Sequence, residues 1–187
     1  LSKMEQYKIP IICVGNLYIG GTGKTPLTIK IFSMLKILHK KPVIIKKFYK
    51  NQLDEIRLIN DKTKNFINAD SRIAGVNLAI KKRFKSIILD DGLQDFTIKK
   101  DLNLICFNSN QLVGNGLTIP SGPLRQKLNT IRKNDILIIN GDRKIKFEKK
   151  IKIISKKIKI FYTEYKPIDI KKFKKKRYLV FAGIGNP

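Results

Sequence analysis

The chain reads as an α/β protein with a mostly parallel sheet flanked by helices. Three observations give that class. Short β-branched apolar runs alternate with stretches of helical periodicity along all 187 residues, as βαβ units require. The first of these runs, Ile11-Ile12-Cys13-Val14, empties into a glycine-rich turn that opens a helix. A later run, Ser86-Ile87-Ile88-Leu89, ends in the paired acids Asp90 and Asp91. With 42% hydrophobic residues the chain can build a core, which excludes global disorder. No apolar run reaches the length of a membrane span, and the mixed, polar first ten residues show no leader pattern. The first residue is Leu rather than Met, so it need not be the natural start.

The apolar runs predict strands over 9–14, 42–46, 86–90, 102–107, 135–140 and 158–162. A helix is expected over 24–39, with Leu27, Ile31, Leu35 and Leu38 at helical spacing on one face. A second is expected over 70–83, with Ile73, Val76, Leu78 and Ile80 apolar and Asp70 or Ser71 as N-cap. The stretch 108–124 holds Gly114, Gly116, Gly122 and two prolines, and reads as a long loop at the C-terminal end of a strand. In open α/β sheets ligands bind at that edge, and long ordered loops tend to serve them. A Lys-rich segment follows Gly141. A further strand at 178–182 then runs into Gly183-Ile184-Gly185-Asn186-Pro187, where the sequence stops as a new unit would begin. The expected organisation is one nucleotide-binding domain over 1–165 and the start of a second α/β domain, cut off, over 166–187.

The glycine turn has a specific chemistry. In Tyr18-Ile19-Gly20-Gly21-Thr22-Gly23-Lys24-Thr25, the glycines let successive backbone N–H groups converge on one point. The following helix adds unpaired N–H donors and the positive end of its dipole. This is a P-loop, and it predicts an NTPase-type sheet that binds a nucleoside triphosphate. Lys24 is placed to reach the β- and γ-phosphates and the Thr25 hydroxyl to ligate Mg²⁺. Pro26 suits the first turn, where its missing N–H leaves nothing unpaired. Tyr18 stands where the strict pattern has its first glycine. Asp90 and Asp91, at the tip of an apolar strand, are the candidate Mg²⁺ ligands, since that ion keeps most of its waters and needs only one or two carboxylates.

The rest of the composition narrows the classes. Cys13 and Cys106 lie in apolar runs and read as buried thiols in a reducing compartment, not as a disulfide framework. His39, the only histidine, sits near a helix end and carries no catalytic expectation; no Cys/His spacing suggests zinc. The net charge of +26 favours anionic surfaces. Fifteen basic residues stand against Glu148, Glu164 and Asp169 in 144–177. They lack the interleaved aromatics of an RNA-binding pattern, so no specific nucleic acid is expected. No Asn/Thr-Lys-x-Asp guanine-reading motif is present, which argues against GTP.

A set of motifs in order resembles the tetraacyldisaccharide 4′-kinase family, the lipid A 4′-kinases. It comprises Val14-Gly15-Asn16-Leu17, the P-loop with Pro26, Leu89-Asp90-Asp91-Gly92-Leu93-Gln94, Gly114-Asn115-Gly116, Pro120-Ser121-Gly122-Pro123-Leu124-Arg125, Asn140-Gly141 and Ala182-Gly183-Ile184-Gly185-Asn186-Pro187. That family also lacks the first P-loop glycine. The resemblance implies transfer of the ATP γ-phosphate to the 4′-hydroxyl of an acylated glucosamine disaccharide 1-phosphate lipid. It also implies Mg²⁺, an anionic membrane surface, and the cytoplasmic face of the bacterial inner membrane, with the chain peripheral or anchored by an N-terminal segment.

By the same resemblance Lys24 and Thr25 are nucleotide ligands, and Asp90 and Asp91 match the Mg²⁺-associated acids. Leu53-Asp54-Glu55-Ile56 is the nearest match to the family's Gly-Asp-Glu-Pro, which makes Asp54 the candidate general base. The alternative is that Asp54 only caps the helix it precedes. Arg125 could clamp a phosphate bidentately. The chain departs from the family at Lys46-Lys47-Phe48-Tyr49 (usually Ser-Arg-Gly-Tyr), at Asp95 (usually His) and at Gln126 (usually Glu). Two other readings stay open: another P-loop ATPase, and a truncated, non-catalytic ATP-binding basic protein at a polyanion or membrane surface.

Overall fold

The computed structural model describes residues 4–166. Among the described residues seven strands form one sheet in the order β3-β2-β4-β1-β5-β6-β7, and each strand pairing in it is parallel. They are β1 (Ile11–Asn16), β2 (Pro42–Lys47), β3 (Phe66–Ala69), β4 (Ser86–Asp90), β5 (Leu102–Asn108), β6 (Ile136–Asn140) and β7 (Lys159–Thr163). The helices are α1 (Lys24–Ile37), α2 (Leu53–Thr63), α3 (Arg72–Lys81) and α4 (Ile145–Ile154).

Period-two alternation sorts the strand residues into two cores, one on each face of the sheet. Ile11, Cys13, Val43, Ile45, Ile87, Leu89, Ile105, Phe107, Leu137 and Ile139 share one core with Val76 and Ala79 of α3 and Phe147 and Ile151 of α4. Val14, Ile44, Ile88, Leu104, Cys106 and Ile138 share the other with Phe32 of α1 and Ile59 of α2. A sheet buried on both faces needs near-continuous apolar strands, which the sequence supplies. Burial in these cores lifts the Cys13 and Cys106 thiols to about 12, so both stay protonated at neutral pH.

The sequence-based strands hold with small shifts. β1 begins two residues late, after Pro10, and runs on to Asn16 because Gly15 and Asn16 pair with Ile105 and Cys106 of β5. β3 went unread because it is a four-residue edge strand with Ile67 as its one buried side chain. α4 was hidden by its lysines, which surround a narrow buried face of Phe147, Glu148 and Ile151. On α1 Leu27, Ile31 and Leu35 are partly buried and pack against the core as expected, the fully buried residues are Thr25, Thr28 and Phe32, and Leu38 is exposed and lies past the helix end. On α3, Val76 is buried while Leu78 and Ile80 face outward, because the tighter contact with the sheet is made through Gly75 and Ala79. Ser71 is the α3 N-cap and accepts a hydrogen bond from the Ala74 N–H. Asp54 lies inside the first turn of α2, whose N-cap is Gln52, so it is not that helix's cap residue. The expected second domain over 166–187, with its strand at 178–182, lies outside the described residues apart from Lys166.

One close approach joins two of the motifs. A Cβ on Gly15 would sit 2.5 Å from the Cβ of Leu93, so only glycine lets the β4 turn lie against β1. Gly15→Ala is therefore expected to destabilise the fold by about 1–3 kcal/mol through overpacking, read as a lower urea midpoint at unchanged slope. An unchanged midpoint would mean that Leu93 moves aside freely.

Candidate functional site

The C-terminal ends of β1, β2 and β4 converge beside the start of α1. The chain leaves β1 toward β2 and β3, then returns through β4 and crosses to β5, so β1 lies at the switch point where open sheets bind ligands. Gly20 (φ 112°) and Gly23 (φ 85°) take the left-handed backbone of the turn, and Gly23 is the N-cap of α1. The Asn16 side-chain amide fastens the loop by donating to the Tyr18 carbonyl (2.6 Å) and the Thr22 hydroxyl (3.0 Å). α1 has no side-chain cap and no acid in its first turn, so its leading N–H groups are left for an anion. Tyr18 is half-buried, Ile19 is exposed and Thr22 and Thr25 are buried.

The 108–124 loop folds back onto this turn. Its Gly-Asn-Gly and Pro-Ser-Gly-Pro segments lock together: the Asn115 side chain accepts from the Leu117 N–H and donates to the Ser121 carbonyl. A Cβ on Gly122 would strike Asn115 and Leu117. Tyr18 pairs with Leu124 as an isolated bridge, and the Arg125 N–H donates to the Leu17 carbonyl at 2.6 Å. This carries Arg125 to Asp91, where its Nη1 lies 3.1 and 3.2 Å from the two carboxylate oxygens. Lys24 Nζ approaches the same Asp91 Oδ1 at 3.9 Å. Asp91 thus stands between the P-loop lysine and Arg125, on a left-handed backbone (φ 52°) that opens the turn after β4.

Asp90 is fully buried and engaged on both oxygens. Thr28 Oγ1 donates to Oδ1 (2.9 Å) and Lys46 Nζ to Oδ2 (2.8 Å). Lys46 also donates to Glu55 Oε2 at 2.7 Å. Burial alone would lower the Lys46 pKa, but the charges and hydrogen bonds of Asp90 and Glu55 together raise it above the ordinary lysine value. Asp54, next to Glu55, is exposed and makes no ion pair among the described residues.

Beside Asp91 and Arg125 opens a cavity of about 1010 Å³, with Lys47, Arg72, Arg132, Tyr49 and Phe96 among its walls. Arg72 is buried; it donates to the Asp91 carbonyl (2.6 Å) and to Asp95 Oδ2 (3.0 Å), and its Nε has no partner among the described residues. Burial would raise Asp95, but hydrogen bonds from Thr97 and Arg72 together hold it below the usual carboxylate range.

The structure therefore gathers Lys24, Thr25, Asp90, Asp91 and Arg125 at one strand edge. Sequence reasoning missed Thr28, Lys46, Glu55 and Arg72. The signals were a threonine one turn after Thr25 on the inward face, and two lysines closing an otherwise apolar strand. The oxygen donors Thr25, Asp90 and Asp91 suit Mg²⁺ in kind. Among the described residues no group of three His, Cys, Asp or Glu is placed to hold a metal ion.

The family model for tetraacyldisaccharide-1-P 4′-kinase matches residues 1–187. The tetraacyldisaccharide 4′-kinase of Pelagibacter ubique (strain HTCC1062) is 46% identical over 187 residues, 98% of this chain and 59% of the relative. That of Rhodopseudomonas palustris (strain BisB5) is 31% identical over 198 residues, 96% of this chain and 59% of the relative. The chain thus spans about 59% of the length of these curated relatives. Among solved structures, the "apo" form of LpxK from Aquifex aeolicus in complex with ATP superposes with a TM-score of 0.61 at 21% identity, over 87% of this chain and 73% of that one. The signal recognition particle 54 kDa protein from Aeropyrum pernix K1 in complex with GDP gives a TM-score of 0.58 at 10% identity, over 85% of this chain and 42% of that one. Both likenesses concern the fold.

Proposed function

The chain belongs to the tetraacyldisaccharide-1-P 4′-kinase family, and on that premise we propose that it forms the nucleotide-binding part of a lipid kinase. The reaction is transfer of the ATP γ-phosphate to the 4′-hydroxyl of a tetraacylated glucosamine disaccharide 1-phosphate. The observation that carries this reading is Asp91, which faces Lys24 of the P-loop on one side and Arg125, at the mouth of the basic cavity, on the other. A phosphoryl donor in the turn and an anionic acceptor in the cavity would meet at that carboxylate.

Phosphoryl transfer asks little of the protein beyond positioning and charge. The P-loop N–H groups and Lys24 would hold the β- and γ-phosphates. Arg125, already aligned by Asp91, would turn to the transferred group. Arg72, Lys47 and Arg132 make the cavity attractive to the acceptor's 1-phosphate. Asp54, in the first turn of α2, would accept the 4′-hydroxyl proton. Mg²⁺, held by Thr25, Asp90 and Asp91 together with the phosphates, would supply charge neutralisation at the γ-phosphate.

The same reading puts the working protein at the cytoplasmic face of the inner membrane. The formal charge of +26 supports it by drawing the domain to anionic lipid. Among the described residues no helix is long and apolar enough to cross a membrane. The whole-length protein, given γ-labelled ATP, Mg²⁺ and tetraacyldisaccharide 1-phosphate in detergent micelles, is expected to yield a labelled bisphosphorylated lipid. Release of inorganic phosphate with no label on the lipid would overturn the reading in favour of an ATPase.

A further inference from the structure

We propose that Lys46 is a built-in cation that closes the Asp90–Glu55 carboxylate pair to divalent metal until a nucleotide brings the metal in on its own phosphates. The inference rests on reading this site as one that takes a metal-bound nucleoside triphosphate.

Lys46 sits near the end of β2, directly opposite Asp90 of β4 in the parallel register. Its side chain is 3% exposed, and its ammonium lies 2.8 Å from Asp90 and 2.7 Å from Glu55. The two carboxylates come from different elements, a strand tip and the first turn of a helix, and aim at one point. Such a convergence of hard oxygens is what Mg²⁺ or Mn²⁺ binds. Here the point is filled by a charge tethered to the chain, which cannot diffuse away. The remaining Asp90 oxygen accepts from Thr28, so neither oxygen is open. A metal ion arriving alone must displace the ammonium or sit beside a like charge a few ångströms away.

Lys24 and Arg125 extend the same condition to Asp91, whose carboxylate already faces two cations. All the strand-tip carboxylates of the site are therefore compensated before any ligand enters. An ATP-bound metal meets a different balance. Its phosphates supply part of its ligand set, water most of the rest, and the phosphates bring most of the negative charge. Thr25 lies one turn, about 4.5 Å of helix rise, before Thr28 on the same buried face of α1, toward the phosphate end. Metal and nucleotide then enter as one species, and the carboxylates are spared idle occupation by free metal.

The test is Mn²⁺ binding to the nucleotide-free, whole-length protein, followed by the paramagnetic signal of the unbound ion. Lys46→Gln removes the charge while its amide can still donate to both carboxylates; Lys46→Met removes charge and donors together. Both are expected to bind Mn²⁺ at least about tenfold more tightly than the parent, because a like charge within a few ångströms has gone. Adding Asp90→Asn to Lys46→Gln should cancel the gain. Equal Mn²⁺ affinity in parent and variants, with Mn²⁺–ATP still bound, overturns the proposal alone. Failure of the parent protein to bind Mn²⁺–ATP overturns it together with the metal-nucleotide reading. Should Lys46→Met fail to fold, the comparison stands on Lys46→Gln.

Discussion

Lys24→Ala in the whole-length protein is expected to lower kcat/KM for labelling of the lipid by about a thousandfold, in line with loss of a preorganised charge at a transferring phosphoryl group. Lys24 is the one charged side chain in the turn from Tyr18 to Thr25, and it follows Gly23 directly, at the first position of α1. Arg125 comes to the site from the far side of Asp91, on whose two oxygens its guanidinium lies, and so does not replace an ammonium at the helix start. Folding should hardly change. The Lys24–Asp91 separation of 3.9 Å is a loose pair, and pairs of that kind contribute about 0–1 kcal/mol. A variant that keeps its melting temperature and loses transfer assigns Lys24 to the chemistry. Transfer within tenfold of the parent would remove Lys24 from the reaction and the kinase reading with it.

The second large effect is on stability. Asp90→Ala is expected to destabilise the domain by about 3 kcal/mol, toward the lower end of the range for breaking a buried ion pair, because Glu55 still faces the stranded ammonium. Lys46 is 2% exposed and Asp90 fully buried, so water does not reach the broken pair readily. Adding Lys46→Met should recover most of the loss, since the penalty arises from the unpaired charge and not from the missing carboxylate itself. Urea unfolding of the two single variants and the double variant measures the coupling. Additive losses would show that Lys46 and Asp90 do not act as a pair.

Much of this architecture was legible in the sequence, for a physical reason. A sheet covered on both faces makes each central strand an unbroken apolar run, and Val43-Ile44-Ile45 and Ile87-Ile88-Leu89 are such runs. The P-loop was legible because its glycines answer to backbone geometry, a local property. β3 and α4 were not legible: the first lies at a sheet edge with one buried side chain, and the second shows a narrow apolar face among lysines. The site was half-read. Asp90, Asp91 and Lys24 announce themselves by position after a strand or a glycine turn. Lys46, Glu55 and Arg72 meet them only through tertiary contact, across 44 residues in the case of Lys46 and Asp90. Nothing local marks a lysine as the partner of a distant acid. Conversely, the motif match singled out Asp54, whereas in the folded chain its neighbour Glu55 is the one that contacts the cluster.

The position of β1 sets an order of events during synthesis. Of the described strands it is made first, yet its two neighbours are β4 and β5, the fourth and fifth of them. Until the ribosome has delivered the chain through Asn108, β1 lacks the strand on one side; until Asp90, it lacks both. At about 5–20 residues per second, the nucleotide loop waits on the order of ten seconds for its frame. A nascent chain stalled before β5 would expose an apolar strand bearing an unformed phosphate turn, the state a chaperone would have to shelter.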